Sequence, residues 1–127
     1  MFQVSKKSQY GLRAITYLAK VKRIASLKEM AEKEAIPFDF LEKILSRMEK
    51  AGLLVSKKGS QGGYVLAKPL NKITAGDVVE ALEGKIVPVE CSLCGKARKC
   101  ASKNVWDKVK QSLALTLYSI TLKDLVK

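Results

Sequence analysis

The chain has no histidine among its 127 residues. The side chain that most often moves protons near neutral pH is therefore missing, and so is a common nitrogen ligand for metals. There is no phosphate-cradling glycine loop and no pairing of a nucleophile with a base, so nothing in the chain points to an enzyme or to a small-molecule substrate. Long apolar runs are also lacking. None approaches the ~20 residues needed to span a membrane, and no basic N-terminal stretch precedes a long apolar segment as in a signal peptide. Internal repeats and low-complexity segments are absent. A cytoplasmic location is expected, where thiols stay reduced.

Acidic residues are scarce, 12 against 24 lysines and arginines, for a net charge of +12. Such an excess suits nucleic acid, an anionic membrane or an acidic protein, or serves solubility alone. Residues 1–70 carry 14 basic and 6 acidic side chains, net +8, and residues 71–127 carry 10 and 6, net +4. The lysines are spread over several elements rather than along one helix face, which argues against a membrane-surface helix.

Hydrophobic periodicity predicts a first helix over residues 5–22, capped by Ser5, with Gly11, Leu12, Ile15, Leu18 and Ala19 on one stripe and Tyr10, Ala14, Tyr17 and Val21 on another. Ser26-Leu-Lys-Glu29 has the capping-box pattern and opens a second helix carrying Leu27, Met30 and Ala31. Pro37 ends it, because the residue before a proline is pushed out of the helical region. A third helix over residues 38–51 turns Leu41, Ile44, Leu45 and Met48 inward, with Gly52 after its end. Residues 53–55 and 64–66 read as strands around a basic, glycine-rich tip. Three short helices and a hairpin outline a winged helix-turn-helix, so the expected class is mainly α with a small β-hairpin wing.

A fourth helix is predicted from Thr74 to about Glu83, and a last long one over residues 102–119, with Thr121 capping a terminal turn. On the long helix Trp106, Val109, Leu113, Leu117 and Ile120 form a seam, and Val105, Leu115 and Tyr118 add a second face. So broad an apolar surface calls for two neighbours, its own domain and the same helix of a second subunit; an ordinary core helix in a monomer is the alternative. The expected division is a DNA-binding domain over 1–70 and a cofactor-binding loop with a dimerisation helix over 71–127.

In such a fold the helix after the turn enters the major groove of double-stranded DNA with its N-terminal residues. Here those are Phe38, Asp39, Glu42, Lys43 and, a turn on, Arg47. A carboxylate at Glu42 accepts from the amino group of cytosine and penalises other bases; an i,i+4 pair with Ser46 or simple solvation is the alternative. Lys57, Lys58 and Gln61 at the wing tip, and Ser5, Lys6, Lys7 and Lys28 at two helix starts, are candidate backbone contacts.

All three cysteines lie within ten residues, Cys91, Cys94 and Cys100. Three thiols in one loop of a reduced protein suggest a metal or redox site. Zinc held by three thiolates and a further ligand, a thiol switch activated by Lys96, Arg98 and Lys99, and a metal-free structural loop remain open alternatives to an iron–sulfur cluster.

Four stretches, Tyr10-Gly-Leu-Arg13, Phe40-Leu-Glu-Lys-Ile-Leu-Ser-Arg47, the run from Ala51 to Tyr64 with its Gly59-Ser-Gln-Gly-Gly-Tyr64 wing, and Cys100-Ala-Ser-Lys-Asn-Val-Trp106, resemble the bacterial iron–sulfur regulators of the IscR and NsrR type. The resemblance covers essentially the whole chain. It implies a homodimeric winged-helix transcription factor with crossing C-terminal helices. It also implies cluster ligation by Cys91, Cys94 and Cys100, a [2Fe–2S] rather than a [4Fe–4S] centre, and a part for Glu42 in DNA discrimination. The Cys91-x2-Cys94 spacing is shorter than the family's, and Lys103 and Gln9 occupy the two positions from which such proteins draw a fourth ligand. A metal-regulated module that controls a partner protein is the reading from another class.

Overall fold

The computed structural model describes residues 4–84 and 102–126. The order of elements is α1 (Lys6–Val21), α2 (Leu27–Glu34), α3 (Phe38–Lys50), β1 (Leu54–Lys57), β2 (Gly63–Leu66), a short 3₁₀ turn (Leu70–Lys72), α4 (Ala75–Glu83), α5 (Lys103–Ser119) and α6 (Leu122–Leu125). Each expected helix forms within a residue or two of its sequence bounds, and the fold is a mostly helical winged helix with one antiparallel hairpin.

The caps explain the boundaries. Ser5, Ser26, Thr74 and Thr121 each accept a hydrogen bond from the third backbone N–H of the following helix. Thr74 and Thr121 complete the reciprocal box with Asp77 and Asp124. At Ser26 the hydroxyl makes its half, while the Glu29 carboxylate is taken up by Arg23 and Tyr17. α2 stops where expected but for an added reason. Ala35 adopts the left-handed conformation at φ 53 and its N–H closes back on Ala31, two residues before Pro37.

One core runs through α1 to α4. Ile15, Leu18, Met30, Leu41, Leu45, Met48 and Leu54 are buried together with Ile73, Val78, Leu82 and Leu122. The packing is therefore continuous across residue 70. α1 and α4 pack closely at Gly11, where an added methyl would sit 2.3 Å from Leu82 Cδ1. On α1 the buried line is Ser8, Gly11, Ala14, Ile15, Leu18 and Ala19. Of the two apolar stripes expected on α1, Leu12 of the first and Tyr10, Tyr17 and Val21 of the second are half-buried, Ala14 of the second is fully buried, and Ser8 joins the buried line.

The hairpin pairs Leu54 with Leu66 through to Lys57 with Gly63. It is stitched to the helix-turn-helix by Ala25, which exchanges backbone hydrogen bonds of 3.1 and 2.8 Å with Tyr64. The start of α4 is pinned to the end of α5 in the same way: Ala75 N–H donates to Ile120 O at 2.8 Å and Leu122 N–H to Ile73 O at 2.9 Å. α5 packs on α4, with the Tyr118 ring lying against Gly76. Of its predicted seam, Trp106, Val109, Leu117 and Ile120 are half-buried and Leu113 is exposed, while Val105 and Leu115 are 55% and 75% exposed. Among the described residues, no helix is long and apolar enough to cross a membrane.

Candidate nucleic-acid interface

α3 has a strongly two-sided pattern. Leu41, Ile44, Leu45 and Met48 are buried, which forces the residues between them outward. Phe38, at the first helical position, is 48% exposed. Asp39, Glu42 and Lys43 are exposed beside it. Among the described residues no hydrogen bond joins Glu42 to Ser46, so the carboxylate is presented to solvent. An exposed aromatic ring at a helix start, next to two carboxylates and a lysine, offers apolar contact, acceptors and a donor within one turn.

The wing presents Lys57, Lys58 and Gln61, all exposed. Its shape depends on glycine at two places. An added methyl at Gly62 would meet Lys57 O at 2.4 Å, and one at Gly63 would meet Ala25 O at 2.2 Å. Both close approaches involve backbone, which cannot swing aside as a side-chain tip can. Lys28 is exposed in the first turn of α2. That turn is braced by Glu29, which accepts two hydrogen bonds from Arg23 at 3.0 and 2.7 Å and one from the Tyr17 hydroxyl. Arg23, then Tyr17, hold the Glu29 carboxyl down at about 2. The same bond to Glu29 raises the Tyr17 phenol above its ordinary value, with burial adding to it.

The start of α1 behaves differently from the wing. Lys6 is exposed, its ammonium 6.0 Å from the Tyr10 ring centre. Ser5 and Lys7, read from the sequence as backbone contacts, meet Glu83 at the end of α4: the Ser5 hydroxyl donates to it and Lys7 Nζ lies 3.8 Å away. The buried Ser8 hydroxyl adds a hydrogen bond of 2.9 Å. Ser5's bond, with help from Ser8, Lys7 and Arg47, keeps the Glu83 carboxyl below its usual range. Arg47 also turns toward α4, donating from Nη1 to Leu82 O at 3.0 Å. α3 and the start of α1 thus both grip the last turn of α4.

Sequence reasoning missed this grip and the Tyr17–Glu29–Arg23 brace. Ser8 was the available signal for the first, since it falls on the 8, 11, 15, 18 spacing of the buried face, where a polar residue needs a partner. Cys91, Cys94 and Cys100 lie outside the described residues. Of the two positions considered for a fourth ligand, Gln9 directs its side-chain N–H to Val4 O at 2.7 Å, and Lys103 is the first residue of α5.

An exposed recognition-helix start, a basic glycine wing and a helix-turn-helix packed as one core define a winged-helix DNA-binding regulator. Comparison with known proteins is more specific. Residues 4–127 match the family model Rrf2, described as an iron-dependent transcriptional regulator. The chain is 32% identical to Protein rrf2 of Nitratidesulfovibrio vulgaris, over 98% of this chain and 87% of that one. It is 36% identical to the HTH-type transcriptional regulator CymR of Bacillus subtilis, over 97% and 88%. The structure of CymR, titled the global cysteine regulator of B. subtilis, superposes with a TM-score of 0.85 over 99% of this chain and 97% of that one. IscR of T. potens gives 0.81 at 36% identity, over 98% and 86%. The chain belongs to the Rrf2 family of transcriptional regulators. The family reading excludes an enzyme, in line with the sequence expectation.

Proposed function

We propose that this chain is a homodimeric regulator that binds double-stranded DNA and is gated at Cys91, Cys94 and Cys100, with an iron–sulfur cluster as the leading occupant. The observation that carries the reading is the grip on α4. Glu83 and Leu82, eight and nine residues before Cys91 in the sequence, are held by Ser5, Lys7 and Ser8 at the start of α1 and by Arg47 of α3. A change in the cysteine-bearing segment therefore bears on the helix that would read DNA. Two half-sites about one helical turn apart must be met together, so a small tilt of that helix changes affinity.

Three thiolates are the right kind of donor for an iron–sulfur centre, with zinc as the alternative metal. When bound, a cluster supplies a group sensitive to oxidants and nitric oxide. Gln9 is already hydrogen-bonded within its own chain and carries no negative charge, so it fits poorly as a fourth ligand. The protein's own contribution is to hold the end of α4 by neutralising Glu83 and capping Leu82 O. Dimerisation is supported by the apolar side chains left exposed on α5 and by a groove of about 420 Å3 lined in part by Leu12, Thr16, Leu117, Ile120 and Leu125, which a second copy's helix would fill.

A thiol-based switch is the second reading, favoured by the poor fourth ligand and by the similarity to a protein titled a cysteine regulator. Anaerobic purification with visible absorption, iron, sulfide and zinc analysis separates the readings. Coloured protein containing iron and sulfide, dimeric by sedimentation and binding DNA with a steep salt dependence, is expected. Colourless, iron-free protein after anaerobic reconstitution would overturn the cluster assignment.

A further inference from the structure

The turn between α2 and α3 is Ala35-Ile-Pro37. α1, α2, α4 and α6 each start on a Ser or Thr whose side chain caps them, but α3 starts after Pro37, which makes no side-chain hydrogen bond. Ala35 is left-handed at φ 53, a conformation that a residue with a Cβ keeps only where its surroundings hold it. Two grips come from α1. The Arg13 guanidinium donates to the carbonyl of Glu34, one of those a helix leaves without a partner at its C-terminus, and Nε lies 3.7 Å from the Glu34 carboxylate. The same guanidinium stands 5.6 Å from the centre of the Tyr10 ring, and Tyr10 meets Phe40 of α3 at 5.5 Å with the rings nearly perpendicular. Arg13 and Tyr10, one turn apart on α1, therefore hold the last residue of α2 and the first turn of α3, on either side of the turn. Both partners of the Arg13–Glu34 pair are partly exposed, so the pair contributes little to stability.

We infer that Arg13 is a positioning residue for DNA reading: it fixes the α2–α3 turn, and through Tyr10 and Phe40 the first turn of α3, so that Phe38, Asp39 and Glu42 meet one set of base edges. The inference rests on the DNA-binding reading of α3 given above. Arg13 does not serve as a phosphate contact, because its charge is met by Glu34 and its N–H by the Glu34 carbonyl. Its removal thus loosens discrimination without removing a cation from the DNA.

The test uses the full chain, Arg13→Met, and two probes: a duplex that the parent selects from a random pool, and a scrambled duplex of equal length. Arg13→Met is expected to bind the selected duplex about tenfold more weakly, the effect of one misplaced base contact. Binding to the scrambled duplex and the slope of log affinity against log salt should stay unchanged. Equal weakening on both duplexes, or a slope lower by about 1, would overturn the inference, the latter by making Arg13 a phosphate contact. A monomeric Arg13→Met in sedimentation would also overturn it, since Arg13 and Glu34 border the groove between α1 and α5 and would then belong to a subunit contact. Amide exchange supplies a readout that needs no DNA. Exchange at Ile36 and Leu41, whose N–H groups donate to Ala31 O at 3.0 Å and Pro37 O at 2.9 Å across the turn, should accelerate in Arg13→Met while that at Ala25 and Tyr64 does not. Unchanged exchange at Ile36 and Leu41 would overturn the positioning role whatever the DNA result. A parent that selects no duplex would overturn the DNA reading itself, a failure told apart because the exchange result still decides what Arg13 does to the turn.

Discussion

Arg47 donates a hydrogen bond of 3.0 Å to the carbonyl of Leu82, joining α3 to the last turn of α4. The acceptor is one of the carbonyls that a helix leaves without a partner at its C-terminus, where a cation is favoured twice, by the bond and by the helix dipole. The bond is only partly buried, which limits what it contributes. Arg47→Met, which keeps the aliphatic stem, should cost about 1 kcal/mol and lower the melting temperature by about 3 °C. Amide exchange at the end of α4 should accelerate while that in α2 stays unchanged.

Gly63 carries the joint between wing and helix-turn-helix. A methyl there would fall 2.2 Å from Ala25 O, so Gly63→Ala must push apart the backbone pair made by Ala25 and Tyr64. A loss of about 1–3 kcal/mol is expected in chemical denaturation, the range for overpacking a well-filled site. Loss of exchange protection at Ala25 and Tyr64 would locate the damage. A variant as stable as the parent would show that the close approach can relax.

Glu29 makes stability depend on acid in a specific window. Its carboxyl is held at about 2 in the folded chain, against an ordinary value of 4.5, chiefly by hydrogen bonds from Arg23 and then Tyr17. A depressed value means the folded state favours the carboxylate. The contribution is therefore complete above the ordinary value and fades as the pH falls from there through about 2. Urea midpoints measured across that window should fall more steeply for the parent than for Glu29→Gln. Parallel slopes would contradict the brace.

On the DNA-reading proposal, Glu42 and Lys58 should fail in different ways. Glu42→Ala should relax discrimination at one base pair, by about 1–3 kcal/mol, with little change in salt dependence. Lys58→Gln should weaken binding evenly across sequences and lower the slope of log affinity against log salt by about 1. Titration of both variants against matched and single-mismatch duplexes at several salt concentrations distinguishes them. Equal behaviour of the two would remove the assignment of roles.

Much of this architecture is legible in the sequence because its signals are local. The spacing of Leu41, Ile44, Leu45 and Met48 decides which side of α3 is buried, since an α-helix brings residues three and four apart onto one face. Thr74 with Asp77, and Thr121 with Asp124, mark helix starts within a single turn. The glycines at 59, 62 and 63 announce the wing. The sequence also puts Phe38, Asp39 and Glu42 on an outward face, and the cysteine spacing names its candidate ligands.

Partners distant in the chain were not legible. Glu83 meets Ser5 and Ser8 across more than seventy residues, and Arg47 finds Leu82 O across 35, so neither contact has a periodicity to reveal it. An exposed arginine on a recognition helix looks the same in sequence whether it faces solvent or a neighbouring helix end. Only the packing of α1 and α3 against α4 around one core decides that. By itself, then, the sequence determined which elements form and which faces they bury, through short-range sterics and periodicity. Tertiary structure alone decided which polar groups meet at the end of α4, because long-range pairing depends on where the packed core brings the helix ends together.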